Sequence, residues 1–71
     1  MNYNQFFQDV TNWLNQNNQA AQKFGFGTHE YWQWVVESSG KLCDYYKNNP
    51  IAINIMLGLW NYLNEIGGKV A

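Results

Sequence analysis

The sequence predicts an all-α protein, a small antiparallel (up-down-up) bundle of three helices. Three observations lead to this prediction. Apolar residues recur at helical spacing in three segments, the short breaks FGFG and NNP separate these segments, and no segment alternates with the period of a strand between two turns. Short connections favour antiparallel neighbours. We expect helices over residues 4–23, 28–47 and 50–66, within a single domain of residues 1–71.

In the first segment, the apolar side chains cover an arc of about 140° on a helical wheel. Gly25 is well placed to end this helix, and the adjacent Phe24 and Phe26 to cover the end of the core. Asn17 lies inside the apolar arc. We favour the interpretation that it is solvated near one end of the bundle, and the alternative is a buried amide that fixes the register of the helices. The arc consists of Tyr3, Phe6, Phe7, Val10, Trp13, Leu14, Ala20 and Ala21.

The second segment follows Thr28, a favourable N-cap residue. Its apolar pattern keeps the same phase through Ser38, Ser39 and Gly40, which predicts one continuous helix. The same triplet is where a kink would occur, because glycine costs about 1 kcal/mol relative to alanine inside a helix. The predicted apolar face consists of Tyr31, Trp34, Val35, Ser38, Leu42, Tyr45 and Tyr46.

The third segment is the most apolar, and we expect the other two helices to pack against it. Asn49 is its predicted N-cap and Pro50 its first helical residue, while Gly67 and Gly68 should end it and residues 69–71 should fray.

This segment carries two apolar stripes on roughly opposite sides. A three-helix monomer needs only the first stripe, so the second is expected to contact another molecule. The first stripe consists of Ile51, Ile55, Leu59, Tyr62 and Ile66, widened by Ala52, Met56 and Leu63, and the second consists of Ile53, Leu57 and Trp60.

Length and composition limit how such a bundle becomes stable. A chain of 71 residues buries only about 60% of its unfolded surface, and its single cysteine allows no internal disulfide. Dense packing and oligomerisation are the remaining sources of stability. The aromatic content of 18% suits both, because aromatic side chains bury large areas.

Charge and hydropathy weigh against several partners. The chain has four lysines, no arginine and a net charge of −1, which disfavours nucleic acid as a partner and a cationic membrane-active role. No run reaches the ~20 apolar residues of a membrane span, and the N-terminus lacks the pattern of a signal peptide. We therefore expect a cytoplasmic protein without a nucleic-acid or membrane partner. Asparagine is abundant and lysine is used without arginine, and because Asn and Lys codons are AT-rich, this composition suggests a bacterium of low GC content or its phage.

We expect no catalytic residue, metal site or cofactor, and hence no enzyme. His29 and Cys43 lie about 21 Å apart on one continuous helix, so they cannot form a catalytic pair within one chain. No metal-binding spacing is present. Cys43 is interpreted as a small apolar residue at the edge of the core, and His29 as solvated.

These observations predict a non-catalytic protein–protein interaction module that self-associates through helix three as a homodimer, or that binds another protein. The predicted interaction residues are Ile53, Met56, Leu57, Trp60, Trp32 and Val36. The alternative is a module that binds a small molecule or a peptide, with pocket walls formed by Trp13, Trp32, Trp34 and Tyr45.

Overall fold

The computed structural model describes residues 1–67, which form three α-helices: α1 (Tyr3–Phe24), α2 (His29–Tyr45) and α3 (Pro50–Gly67). The all-α bundle predicted from the sequence is confirmed. Helix α2 is continuous through Ser38, Ser39 and Gly40, as the phase of its apolar pattern indicated. Side-chain pairs between α1 and α2 run in opposite directions along the chain, which makes these helices antiparallel. The pairs are Asp9–Tyr46, Trp13–Ser38 and Asn17–Tyr31.

The turn between α1 and α2 is built as predicted. Gly25 follows the last residue of α1 with a φ of 90°, a conformation that glycine adopts without strain. A Cβ atom at this position would lie 3.1 Å from Cγ2 of Thr28, so a side chain here is also crowded. Thr28 is the N-cap of α2, because its Oγ1 accepts a hydrogen bond from the Tyr31 backbone N–H at 3.2 Å.

Helix α2 ends two residues earlier than predicted, at Tyr45 instead of residue 47. Lys47 and Asn48 both have a φ of 56°, and their backbone N–H groups donate to the carbonyls of Asp44 (2.9 Å) and Cys43 (2.8 Å). This pair of bonds is the Schellman arrangement, which reverses the chain and satisfies carbonyls of the last turn. Lys47 therefore lies in the turn and not in the helix.

The start of α3 agrees with the prediction, and its end does so only in part. The side chain of Asn49 accepts a hydrogen bond from the Ile51 N–H at 3.1 Å, and Pro50 is the first helical residue. The helix includes Gly67, which was expected to lie just beyond it. Gly68 and the expected fraying of residues 69–71 lie outside the described residues.

The core draws on all three helices, and α2 is the helix that packs closely against both others. The expectation that helix three holds this central place is wrong. The physical reason is that α2 buries side chains toward both neighbours, and the small Ser39 among them allows close approach. The buried apolar residues are Phe6, Val10, Trp13, Ala20, Tyr31, Val35, Ala52, Met56 and Leu63.

The buried line of α3 runs between its two predicted stripes. Ala52, Met56 and Leu63 are the buried residues, whereas Tyr62 and Ile66 of the first stripe are 54% and 47% exposed. The apolar surface of this helix is so wide that burying its middle covers part of both stripes. The expectation that only the first stripe faces the core is therefore wrong.

Besides Tyr62, three more aromatic residues of the predicted apolar faces are exposed: Tyr3, Phe7 and Tyr45. Phe7 lies at the edge of its apolar arc, whereas Tyr3 is the first residue of α1 and Tyr45 is the last residue of α2. Asn17, in contrast, is more buried than expected, and its Oδ1 accepts a hydrogen bond from the hydroxyl of Tyr31. The favoured solvated interpretation of Asn17 is wrong, and the alternative is right about its burial.

Candidate functional site

Two adjacent serines in the middle of α2 form hydrogen bonds with tryptophans of the other two helices. Ser38 accepts a hydrogen bond from the indole Nε1–H of Trp13 on α1 at 2.8 Å. Ser39 accepts one from the indole Nε1–H of Trp60 on α3 at 2.9 Å. Each serine hydroxyl also lies close to the carbonyl four residues earlier, at 2.7 Å and 2.6 Å. The triplet that looked like a weak point in the sequence is thus where the helices are joined.

An apolar groove lies on one side of this junction, between α2 and α3, and we call it the α2–α3 groove. Its volume is about 290 Å³. Its two walls have the same spacing, i, i+4 and i+7, one formed by α2 and the other by α3. The α2 wall consists of Val36, Gly40 and Cys43, the α3 wall consists of Ile53, Leu57 and Trp60, and Ser39 and Met56 lie between the walls.

The groove is closed at its floor and open at its rims. Met56 and Ser39 are each 2% exposed, whereas Val36 and Leu57 are 51% and 48% exposed. A Cβ atom added at Gly40 would meet nothing within 4 Å, so the absence of a side chain there leaves open space. Among residues 1–67, no charged side chain lines this groove.

Five of the six predicted interaction residues line this groove: Ile53, Met56, Leu57, Trp60 and Val36. Trp32 does not. It is half-buried and packs edge-to-face on Tyr31, with ring centroids 5.3 Å apart. The predicted interaction residues did not include the wall residues Gly40 and Cys43, because Gly40 was interpreted as a place for a kink and Cys43 as an edge of the core. Their spacing from Val36 was the signal that could have identified them.

Cys43 is half-buried in the α2 wall. Burial, together with the nearby negative charge of Asp44, raises the pKa of its thiol above the ordinary value of 9.0. The thiol is therefore protonated at neutral pH and is a weak nucleophile, which suits a side chain that acts as part of an apolar wall.

A second and larger groove, the α1–α2 groove, runs along the seam between those helices on the side of Ser38. Its volume is about 680 Å³. The rings of Trp13 and Trp34 are stacked beside it, with centroids 5.5 Å apart and planes 20° apart. Its lining is mixed: Gln5, Asp9, Asn12, Trp13, Gln16, Trp34, Glu37, Ser38, Lys41, Leu42 and Tyr45. Of the four aromatic residues proposed as pocket walls, Trp13, Trp34 and Tyr45 lie here, and Trp32 does not.

Another polar contact joins the end of α2 to the first half of α1. The hydroxyl of Tyr46 donates a hydrogen bond to the carboxylate of Asp9. Desolvation and the neighbouring Asp9 charge raise the pKa of Tyr46 to about 12. The phenol is neutral at physiological pH and acts as a donor that holds the end of α2 against the start of α1.

Residues 1–67 also bear on metal binding and on membrane insertion. In this part of the chain, no three His, Cys, Asp or Glu side chains are grouped so that they could hold a metal ion. Within the same residues, no helix has the length and apolar character needed to cross a membrane.

No family model matches the chain, no curated protein is significantly similar to it, and no solved structure is significantly similar to it.

Proposed function

We propose that this protein is a non-catalytic interaction module that self-associates through the α2–α3 groove. The proposal rests on the groove itself, whose lining in the described part of the chain carries no charge and whose rims expose apolar side chains. Exposed apolar patches of this kind mark places where a protein contacts a partner.

The composition of the groove favours a protein surface over a small molecule. Small-molecule sites contain a few polar groups that orient the ligand. Here the hydroxyl of Ser39 already accepts the Trp60 indole N–H and lies 2.6 Å from the Val35 carbonyl. A groove between two helices with walls of period i, i+4, i+7 instead suits an apolar ridge of another helix.

A second copy of this chain is the partner that fits best. Its own Leu57 and Val36 stand exposed beside its groove, so a two-fold arrangement places the rim of each copy in the groove of the other. The net charge of −1 produces little repulsion between copies. Association also adds buried surface to a chain that is too short to bury much alone.

The area of the α2–α3 groove determines how strong self-association should be. Each wall covers seven residue steps, about 10 Å along its helix, and packed helices lie about 8–10 Å apart. The groove then covers on the order of 100 Å² per copy, far below the ~800 Å² per partner of a standard interface. We expect a dimer that dissociates in the micromolar range or above.

Sedimentation velocity over low-micromolar to near-millimolar concentrations tests this function. The wild-type chain should shift from monomer to dimer as concentration rises. Leu57→Glu, which places a charge on the rim, should stay monomeric, and Trp60→Glu should do the same if circular dichroism shows that it remains folded.

Ile66→Glu is the matched control, because Ile66 is 47% exposed on the same helix, close to the 48% of Leu57, but lies outside the groove. This control should dimerise like the wild type. A wild-type chain that sediments as an 8.3 kDa monomer at every concentration would overturn the proposal. Equal loss of the dimer in Leu57→Glu and Ile66→Glu would place the contact elsewhere on α3.

A further inference from the structure

The α2 side of the α2–α3 groove has the form of a hole for one side chain. Its residues lie at i, i+3, i+4 and i+7, so they are neighbours on the surface of the helix. When helices pack knobs-into-holes, a side chain of one helix, the knob, enters a hole formed by four residues of the facing helix. The four residues of this hole are Val36, Ser39, Gly40 and Cys43.

Glycine leaves this hole open. Gly40 is exposed, and a Cβ atom added there would meet nothing within 4 Å. Leu57 of the same chain therefore does not fill the space above Gly40, although it lines the same groove. The hole is free to receive a side chain from another molecule.

The α3 side of the groove carries a knob of suitable size. It repeats the spacing i, i+3, i+4 and i+7, but it has a leucine at the step where α2 has its glycine. Leu57 is 48% exposed, and both it and Gly40 lie in the middle of their walls. The four residues of this side are Ile53, Met56, Leu57 and Trp60.

Knob and hole lie on opposite walls, and this placement determines how two copies fit together. In a two-fold dimer, a contact of residue i with residue j of the partner is repeated as j with i. A two-fold axis parallel to the groove exchanges the walls, so α3 of each copy lies on α2 of the other. The exposed leucine of each copy then faces the open glycine of the other.

We infer that the dimer has this reciprocal arrangement, in which Leu57 of each copy inserts above Gly40 of the other. The inference rests on the self-association proposed above and adds its geometry. Helices α2 and α3 of both copies then form a four-helix bundle, and each copy supplies one knob and one hole.

The other two-fold arrangement of the same faces fits less well. With the axis across the groove, α2 lies on α2 and α3 lies on α3. Leu57 would then meet Leu57 of the second copy, and Gly40 would meet Gly40. Two leucines would compete for one space while the two glycines left a void, and a void forfeits the contacts of the atoms that line it. Size complementarity therefore favours the reciprocal arrangement.

Disulfide trapping distinguishes the two arrangements, because a disulfide requires Cβ atoms about 3.5–4.5 Å apart. Cys43 is first replaced by alanine, so that each variant chain carries a single thiol. Labelled (¹⁵N) Gly40→Cys chains and unlabelled Leu57→Cys chains are mixed at high micromolar concentration and oxidised with diamide. Mass spectrometry should find mainly the disulfide that joins one labelled chain to one unlabelled chain.

Ile66→Cys is the matched control for random collision, because Ile66 is 47% exposed on the same helix but lies outside the groove. The Gly40→Cys chain should couple to the Leu57→Cys chain at least about tenfold faster than to this control. The reason is that a bound partner presents its thiol at an effective concentration in the millimolar range. Equal coupling rates, or products that mainly join like chains, would overturn the reciprocal arrangement.

The sizes of the two side chains give a second test, read by sedimentation equilibrium. Gly40→Leu fills the hole and Leu57→Ala removes the knob. Each change alone should raise the dissociation constant of the dimer at least about tenfold, the factor that corresponds to the lost burial of one leucine. Combined in one chain, they move the knob from α3 to α2 and should restore most of the affinity. A double variant whose loss equals the product of the two single losses would overturn the inference.

The wild-type chain separates this inference from the proposed function. A wild-type dimer whose variants form disulfides between like chains overturns only the reciprocal arrangement. A wild-type chain that stays monomeric at every concentration overturns self-association, and the arrangement with it.

Discussion

The interface between α1 and α2 differs from the interface between α2 and α3 in how much of it is polar. Among the described residues, three side-chain hydrogen bonds cross the first interface and one crosses the second. Those of the first are Trp13–Ser38, Tyr31–Asn17 and Tyr46–Asp9, and that of the second is Trp60–Ser39. The most apolar helix of the chain is thus joined to its neighbour by the fewest directional contacts.

This difference reflects two kinds of interaction between helices, directional hydrogen bonds and non-directional apolar burial. A hydrogen bond requires specific distances and angles, so the polar contacts of α1 and α2 define one register for that pair. Apolar burial is non-directional and scales with area. Apolar surface of α3 that is left outside the core can therefore be shared with another molecule, whereas the committed polar groups of the first interface cannot.

The largest expected effect is at the buried polar pair of the first interface. Tyr31→Phe removes the hydroxyl that donates to Asn17, and it leaves a buried acceptor without a partner. The expected cost is about 1–3 kcal/mol. At about 4–8 °C per kcal/mol for a domain of this size, the melting temperature should fall by roughly 5–20 °C, as measured by circular dichroism.

The double variant Tyr31→Phe/Asn17→Leu is the control for this interpretation. Replacing both partners with apolar groups removes the stranded acceptor, so it should cost less than the sum of the two single changes. A double variant whose loss equals that sum would show that the pair is not coupled.

The two serines provide a direct comparison of the interfaces. Ser39 is buried, so Ser39→Ala leaves the Trp60 indole N–H without its acceptor and should cost about 1–2 kcal/mol. Ser38 borders the open α1–α2 groove, where a water molecule can take the place of its hydroxyl as the acceptor for the Trp13 indole N–H. Ser38→Ala should therefore cost no more than about 0.5 kcal/mol, since alanine also favours the helix. Urea unfolding measures both, and equal losses would contradict this comparison.

Small stabilising effects are expected at two glycines inside helices. A Cβ atom at Gly40 or Gly58 meets nothing within 4 Å, so Gly40→Ala and Gly58→Ala should each raise the free energy of unfolding by about 0.5–1 kcal/mol. Only Gly40 lines the α2–α3 groove, so only Gly40→Ala should also weaken the dimer in sedimentation. Equal effects of the two changes on dimerisation would argue against this groove as the contact.

Much of the fold was predictable because its signals are local. The apolar period defined each helix, and Gly25, Thr28, Asn49 and Pro50 marked helix ends within a few residues of themselves. The same spacing placed Ile53, Leu57 and Trp60 on one side of α3, and the structure finds them in one wall of the groove.

Other features were decided only by tertiary structure. The apolar arc of α3 is too wide for the sequence to show where its buried line lies, and the packing against α2 places that line through Met56. The burial of Asn17 and the two serine–tryptophan bonds depend on partners 14, 25 and 21 residues away in the chain. A local pattern determines which side of a helix is apolar, but distant contacts determine which part of that side is covered and which polar groups are paired inside it.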